Sequence, residues 1–164
     1  VTVCTGTMAS AAYWIGCSAS EFYVTPGGEV GSIGVWQAHQ DYSKALEDAG
    51  VKTTLISAGR FKVEGNPYSP LDADAQSFMQ SRVDDYYAAF TKAVALGRGV
   101  PISQVREGMG QGRVLGADAA LAQNMVDGIA TLDDVIKKMR RDARQLSKPG
   151  ATRLRQARSA LALL

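Results

Sequence analysis

A strand, a run of small residues and a helix follow one another at the start of this chain, and Ser10 stands at the mouth of the helix. Val1-Thr2-Val3-Cys4 is short, apolar and rich in β-branched residues, the pattern of a buried strand. Gly6-Thr7-Met8 reads as a turn and residues 9–19 as a helix. Residues 22–25 alternate as a strand and stop at Pro26-Gly27-Gly28, and Gly31-Ser32-Ile33-Gly34 reads as a tight turn before a second apolar strand at Val35-Trp36. Further on, the pattern predicts a helix at 42–49 stopped by Gly50, a strand at 51–57 and a loop at 58–70. Asp72 is placed to cap a long helix reaching Leu96, closed by Gly97-Arg98-Gly99 and Pro101. A short helix capped by Ser103, a flexible turn at 108–112, a strand at 113–115 and helices at 118–123 and 132–139 complete the reading. Strands separated by helices predict an α/β fold with a mostly parallel sheet.

Composition narrows the class. Hydrophobic residues make up 46% and charged residues 21% of 164, enough apolar material for one sizeable core. No run approaches the roughly 18 apolar residues of a membrane helix, and no signal-peptide pattern is present. Cys4 and Cys17 fit neither a metal spacing nor a disulfide framework and read as core thiols of a reducing compartment. The net charge of +2 conceals an imbalance: residues 137–164 carry nine Lys/Arg against Asp142 alone, while residues 1–136 carry nine bases against fifteen acids. Ser147-Lys148-Pro149-Gly150 reads as a linker to a basic Ala/Leu/Arg helix. The plainest reading of that tail is a solvated helix, ahead of a partner segment and a nucleic-acid contact. The chain opens without Met and already inside a strand pattern, so an N-terminal portion is expected to be missing.

A serine hydroxyl is a poor nucleophile until a base removes its proton. A serine at a helix start has backbone N–H groups nearby that suit an oxyanion, though it can equally be a plain capping residue. His39 is the one histidine, with Asp41 two residues on, but the sequence around Ser10 is Met8-Ala9-Ser10-Ala11-Ala12 and lacks the G-x-S-x-G pattern. His39 therefore reads more plainly as a polar residue at a strand end. Lysine is the other possible base, effective at neutral pH only where burial strips its proton. Lys62, flanked by Phe61 and Val63 in the loop after a strand, is the candidate; taken alone it is as readily a solvated loop charge. Ser32 is either a turn serine or a hydroxyl that orients an amine. Gly108-Met109-Gly110-Gln111-Gly112 lacks the Gly-Lys-Ser/Thr of a phosphate loop.

Taken together, three separated motifs resemble the signal peptide peptidase A family of serine peptidases: Met8-Ala9-Ser10-Ala11-Ala12-Tyr13-Trp14, Gly31-Ser32-Ile33-Gly34-Val35, and Ala58-Gly59-Arg60-Phe61-Lys62 with Gly65-Asn66-Pro67-Tyr68. His39-Gln40-Asp41-Tyr42-Ser43-Lys44 and the Gly65-Asn66-Pro67-Tyr68 run are closer to its phage branch, the head-maturation (capsid assembly) proteases. Gly112-Arg113-Val114, Ala119-Ala120-Leu121 and Met125-Val126-Asp127-Gly128 also fit, so the likeness spans residues 1–139.

The resemblance implies a ClpP/crotonase-like α/β fold, with residues 1–139 its C-terminal part and 140–164 a basic helical tail. It implies a Ser/Lys dyad: Ser10 as nucleophile, Lys62 as general base and Ser32 orienting the lysine. The family's oxyanion glycine precedes the nucleophile, in a segment not present in this sequence. Ala11-Ala12 departs from the two glycines common in bacterial members. Neither cofactor nor metal is implied. The expected partners are a polypeptide substrate, either scaffold and capsid proteins or signal peptides, and further copies in a homo-oligomeric ring, for which the helix at 72–96 offers a face. No nucleic-acid partner and no membrane segment are expected, and the implied place of action is the host cytoplasm or the phage prohead. The alternatives are a bacterial signal-peptide-degrading peptidase, a non-enzymatic capsid assembly or scaffold protein, and a crotonase-like acyl-CoA enzyme.

Overall fold

The computed structural model describes residues 1–146, so the linker and basic helix expected from residue 147 onward lie outside the described residues. Among the described residues, two small three-stranded sheets and six helices make up a mixed α/β architecture. The first sheet joins β1 (Thr2–Cys4), β3 (Phe22–Val24) and β6 (Gly128–Ile129) in the order β1-β3-β6, all parallel. The second joins β2 (Thr7–Ala9), β4 (Glu29–Gly31) and β5 (Val114–Gly116) in the order β2-β4-β5. There β2 and β4 run parallel and β5 antiparallel to β4. The mostly parallel expectation holds, but for two sheets rather than one.

Several local expectations are corrected. Thr7 and Met8 belong to β2, not a turn, because Met8 lies opposite Val30 in the parallel ladder. Helix α1 is only Ala11–Gly16, shorter than the 9–19 expected. The predicted strands at Val35-Trp36 and 51–57 have no regular structure among the described residues. Helix α2 (Ser43–Asp48) forms as expected, and Gly50 ends it in the left-handed region at φ 70°. Helix α4 (Ile102–Glu107) has Pro101 at its N-cap and no side-chain cap, and Ser103, expected to cap it, lies inside its first turn. Helix α5 spans Ala117–Ala122, and α6 (Leu132–Leu146) runs past the expected end at residue 139.

The long helix α3 (Ala73–Arg98) forms for the reasons expected. Asp72 Oδ1 accepts from the Ala75 amide at 2.7 Å, and Gly99 closes the helix in the left-handed conformation. Its partly and fully buried stripe runs through Met79, Val83, Tyr87, Phe90 and Val94, close to one residue per turn. At its C-terminal end Phe90 stacks on Trp14 of α1, centroids 4.7 Å apart and planes 5° from parallel. Gly97 comes so close to the Cys17 carbonyl that no Cβ would fit, so the two helix ends meet backbone to backbone. Cys4 and Cys17 are both buried free thiols in this core, with Tyr13, Phe22, Val24 and Met125.

Residues 34–74 stand apart. None of them is buried, and Trp36, Leu55, Ile56 and Phe61 are exposed, Ile56 to 96%. Most of the apolar character that predicted strands there is therefore not spent on this chain's own core.

Candidate active site

Strand β2 ends at Ala9 and helix α1 begins at Ala11, so Ser10 alone makes the turn between them. It does so at φ 54°, ψ −124°, a conformation that non-glycine residues rarely adopt. Two backbone bonds hold it there: the Ser10 amide donates to the Gly31 carbonyl at 2.8 Å, and the Ser10 carbonyl accepts from the Trp14 amide at 3.0 Å. The hydroxyl makes no capping bond and has no other partner among the described residues. The capping reading of Ser10 is thereby corrected: the side chain is held out from the helix rather than folded over its end. The amides of Ala11 and Ala12 likewise find no acceptor among the described residues.

Gly31 is what allows this approach. Its φ is 131°, and a Cβ there would lie 2.6 Å from the Arg113 carbonyl oxygen. Ser32 follows at φ 54°, its amide donating to that same Arg113 carbonyl at 2.8 Å. Two strained serines thus lie on adjacent strand ends, and both line one open cleft of about 630 Å³. Trp36 forms part of its rim, 85% exposed, with Tyr87 of α3 and Arg106 and Glu107 of α4 on the far side. The sequence reading missed this far wall. Its signal is the Met79-Val83-Tyr87 stripe, whose middle the core does not cover.

Lys62 is not brought to this cleft. It sits in a series of turns at 59–65, its amide donating to the Gly59 carbonyl at 3.1 Å and its side chain exposed. The Gly65-Asn66-Pro67-Tyr68 motif proves to organise that loop. Asn66 Nδ2 donates to the Val63 carbonyl at 2.7 Å and to Ser69 Oγ at 3.1 Å, while its Oδ1 accepts from the Tyr68 amide at 2.9 Å. His39 Nε2 meets the Asn66 carbonyl at 2.9 Å, and the Tyr42 amide donates to Pro67 O at 2.8 Å. Asp41 accepts from the Ser43 amide at 2.8 Å, and the Ser43 hydroxyl together with that amide holds its carboxyl below the ordinary range. His39 and Asp41 therefore fasten the loop and start α2; neither lines the Ser10 cleft.

A second charged feature braces the scaffold under α1. Arg98, with its side chain 5% exposed, donates to Asn124 O at 2.9 Å and to both Asp127 oxygens at 3.0 and 2.7 Å. Asp127 Oδ2 also accepts from the Phe22 amide at 2.6 Å. The Arg98 bonds hold the Asp127 carboxyl below the usual carboxylate range. Tyr13 donates to the Met125 carbonyl at 2.9 Å, and burial pushes its phenol far up.

An α/β chain that presents a strained serine with a free hydroxyl on a strand-to-helix turn, at the edge of an open cleft, has the parts from which a nucleophilic hydrolase site is built. Residues 1–146 match peptidase family S49, and the chain belongs to that family. It is 34% identical over 152 residues to the capsid assembly protease C of Escherichia phage lambda, covering 92% of this chain and 34% of that protein. It is 31% identical over 137 residues to the head-tail preconnector protein GP5 of Enterobacteria phage P21, 84% of this chain and 27% of that protein. To a putative signal peptide peptidase SppA of Enterococcus faecium it is 27% identical over 136 residues, 83% of this chain and 39% of that protein. The chain thus spans about a third of the length of the relatives it matches. Among the described residues no helix is long and apolar enough to cross a membrane.

Proposed function

We propose that this chain carries the nucleophile and the base of a Ser/Lys endopeptidase with a ClpP/crotonase-like fold, and that it processes scaffold or capsid proteins during phage head assembly in the host cytoplasm or prohead. The observation that carries the reading is Ser10: strained, unbonded at its hydroxyl, and sharing a cleft with Ser32. In the proposed reaction the neutral Lys62 amine takes the Ser10 proton as Oγ attacks a peptide carbonyl. The C–N bond breaks, the Lys62 ammonium returns the proton to the leaving amine, and an acyl-serine remains. Water, deprotonated by the same amine, then releases the acyl group. The Ala11 amide is a donor for the oxyanion, and Ser32 Oγ orients the amine.

Lys62 is exposed and outside the Ser10 cleft. The reading therefore has Lys62 of one copy serve Ser10 of another within a ring. Two inactive variants of the full-length protein test this. Ser10→Ala and Lys62→Ala should each abolish cleavage of a scaffold-protein substrate, and a mixture of the two should regain part of it. Undiminished cleavage by Lys62→Ala would sink the dyad; mixtures that stay inert would confine the lysine to its own chain.

The name of the Enterococcus relative favours a second reading, a peptidase of signal peptides. Preference for apolar signal-peptide fragments over scaffold protein would select it.

A further inference from the structure

The far wall of the Ser10 cleft carries a cation that the chain itself does not use. Arg106 lies on α4, whose preceding residue Val105 is buried in the core, so the base of its side chain is fixed. Its guanidinium sits over the Tyr87 ring, 5.8 Å from the centroid. Two carboxylates line the same cleft, Asp84 and Glu107. Asp84 accepts from Gln80 Nε2 at 2.8 Å, and among the described residues neither carboxylate pairs with Arg106. The planar N–H fork of Arg106 is thus oriented by an aromatic face and left with its donors open, in the cleft that holds Ser10 and Ser32.

We propose that Arg106 is a specificity-determining residue that binds one carboxylate of the polypeptide substrate. The inference rests on the peptidase reading of Ser10. A guanidinium matches a carboxylate with two parallel hydrogen bonds, whereas an uncharged amide at the same place of the substrate matches it poorly. Asp84 and Glu107 sharpen the choice: they repel a second acidic residue alongside, so the cleft takes a single acid in one register rather than an acidic run. The carboxylate belongs either to an internal Asp or Glu side chain or to the free C-terminus of the substrate.

The test uses the full-length protein and a peptide panel in which one Glu is walked through otherwise neutral positions, each peptide made as free acid and as C-terminal amide. One Glu register should raise kcat/KM about tenfold over its Gln counterpart, mainly through KM. Arg106→Gln should erase that preference, and Arg106→Lys should restore part of it. A preference that vanishes on amidation whatever the Glu position assigns the carboxylate to the C-terminus. Glu-to-Gln and acid-to-amide ratios that are both the same in the parent and in Arg106→Gln overturn the inference. A binding arm separates this from failure of the peptidase reading: peptide binding to Ser10→Ala, followed by Trp36 fluorescence, needs no turnover. Discrimination there that is lost in Ser10→Ala/Arg106→Gln upholds the Arg106 assignment even if no peptide is cleaved, and absent discrimination overturns it.

Discussion

Arg98 and Asp127 meet fork to fork, with both guanidinium amino groups on the two carboxylate oxygens at 3.0 and 2.7 Å. The pair ties the end of α3 to the loop before β6, and through the Phe22 amide to the start of β3. Removing Asp127 leaves a nearly fully buried guanidinium without its counter-charge. Asp127→Ala should lower stability by about 3 kcal/mol, read as a lower urea midpoint with unchanged m-value.

The same pair sets a pH dependence. The folded Asp127 carboxyl titrates below its unfolded value, so its contribution is fully present above the ordinary carboxylate pKa of about 3.9 and is lost as pH falls through the depressed folded value. The stability gap between the parent and Asp127→Asn should be constant from pH 6 to 7 and should close in acid. A gap that widens in acid would contradict the assignment.

Ser10 holds its strained backbone at a cost that glycine would not bear. Ser10→Gly should be more stable than Ser10→Ala by about 1 kcal/mol, since only glycine adopts φ 54°, ψ −124° without crowding its Cβ. Paired thermal melts of the two inactive variants measure it. Equal melting temperatures would mean that the turn relaxes when the hydroxyl is removed.

Gly31 admits no side chain at all. Gly31→Ala places a methyl 2.6 Å from the Arg113 carbonyl at φ 131°, and the Ser10 amide bonds to the carbonyl of this residue. The expected loss is about 3 kcal/mol, with Ser10 reactivity toward a fluorophosphonate probe falling further than the folded fraction does.

Lys62 should behave in the opposite way. Its side chain is exposed, so Lys62→Ala and Lys62→Arg should leave stability within about 0.5 kcal/mol. Both should abolish cleavage, because arginine keeps its proton at every working pH and cannot act as the base. Residual cleavage by Lys62→Arg would move the base elsewhere.

These contrasts show what could be read from the residues and what could not. Asp72, Gly50 and Gly99 act locally, through a side-chain cap and left-handed stops, so α2 and α3 were legible in order and nearly in length. Strands β2 and β4 were not: Thr7-Met8-Ala9 is too short to show a period, and its pairing with Glu29–Gly31 is a long-range event. Val35-Trp36 and residues 51–57 have the right composition for strands yet no partner among the described residues, because propensity for a sheet is mostly propensity to pack against one. In the site, Ser10 and Ser32 were found through their motifs, and their shared cleft follows from the β2–β4 register. Tyr87 and Arg106 were not found, because they reach the cleft from α3 and α4, about eighty and a hundred positions away in the chain.

Residues 34–74 hold no buried side chain, although they include the loop of Lys62. A fold that keeps its nucleophile on the core and its candidate base on a segment outside it can complete folding while still inert. On the proposed assignment of Lys62 and the proposed ring, such latency would delay cleavage until copies have gathered. It also lets the outer segment drift toward new assembly partners without eroding the scaffold that strains Ser10.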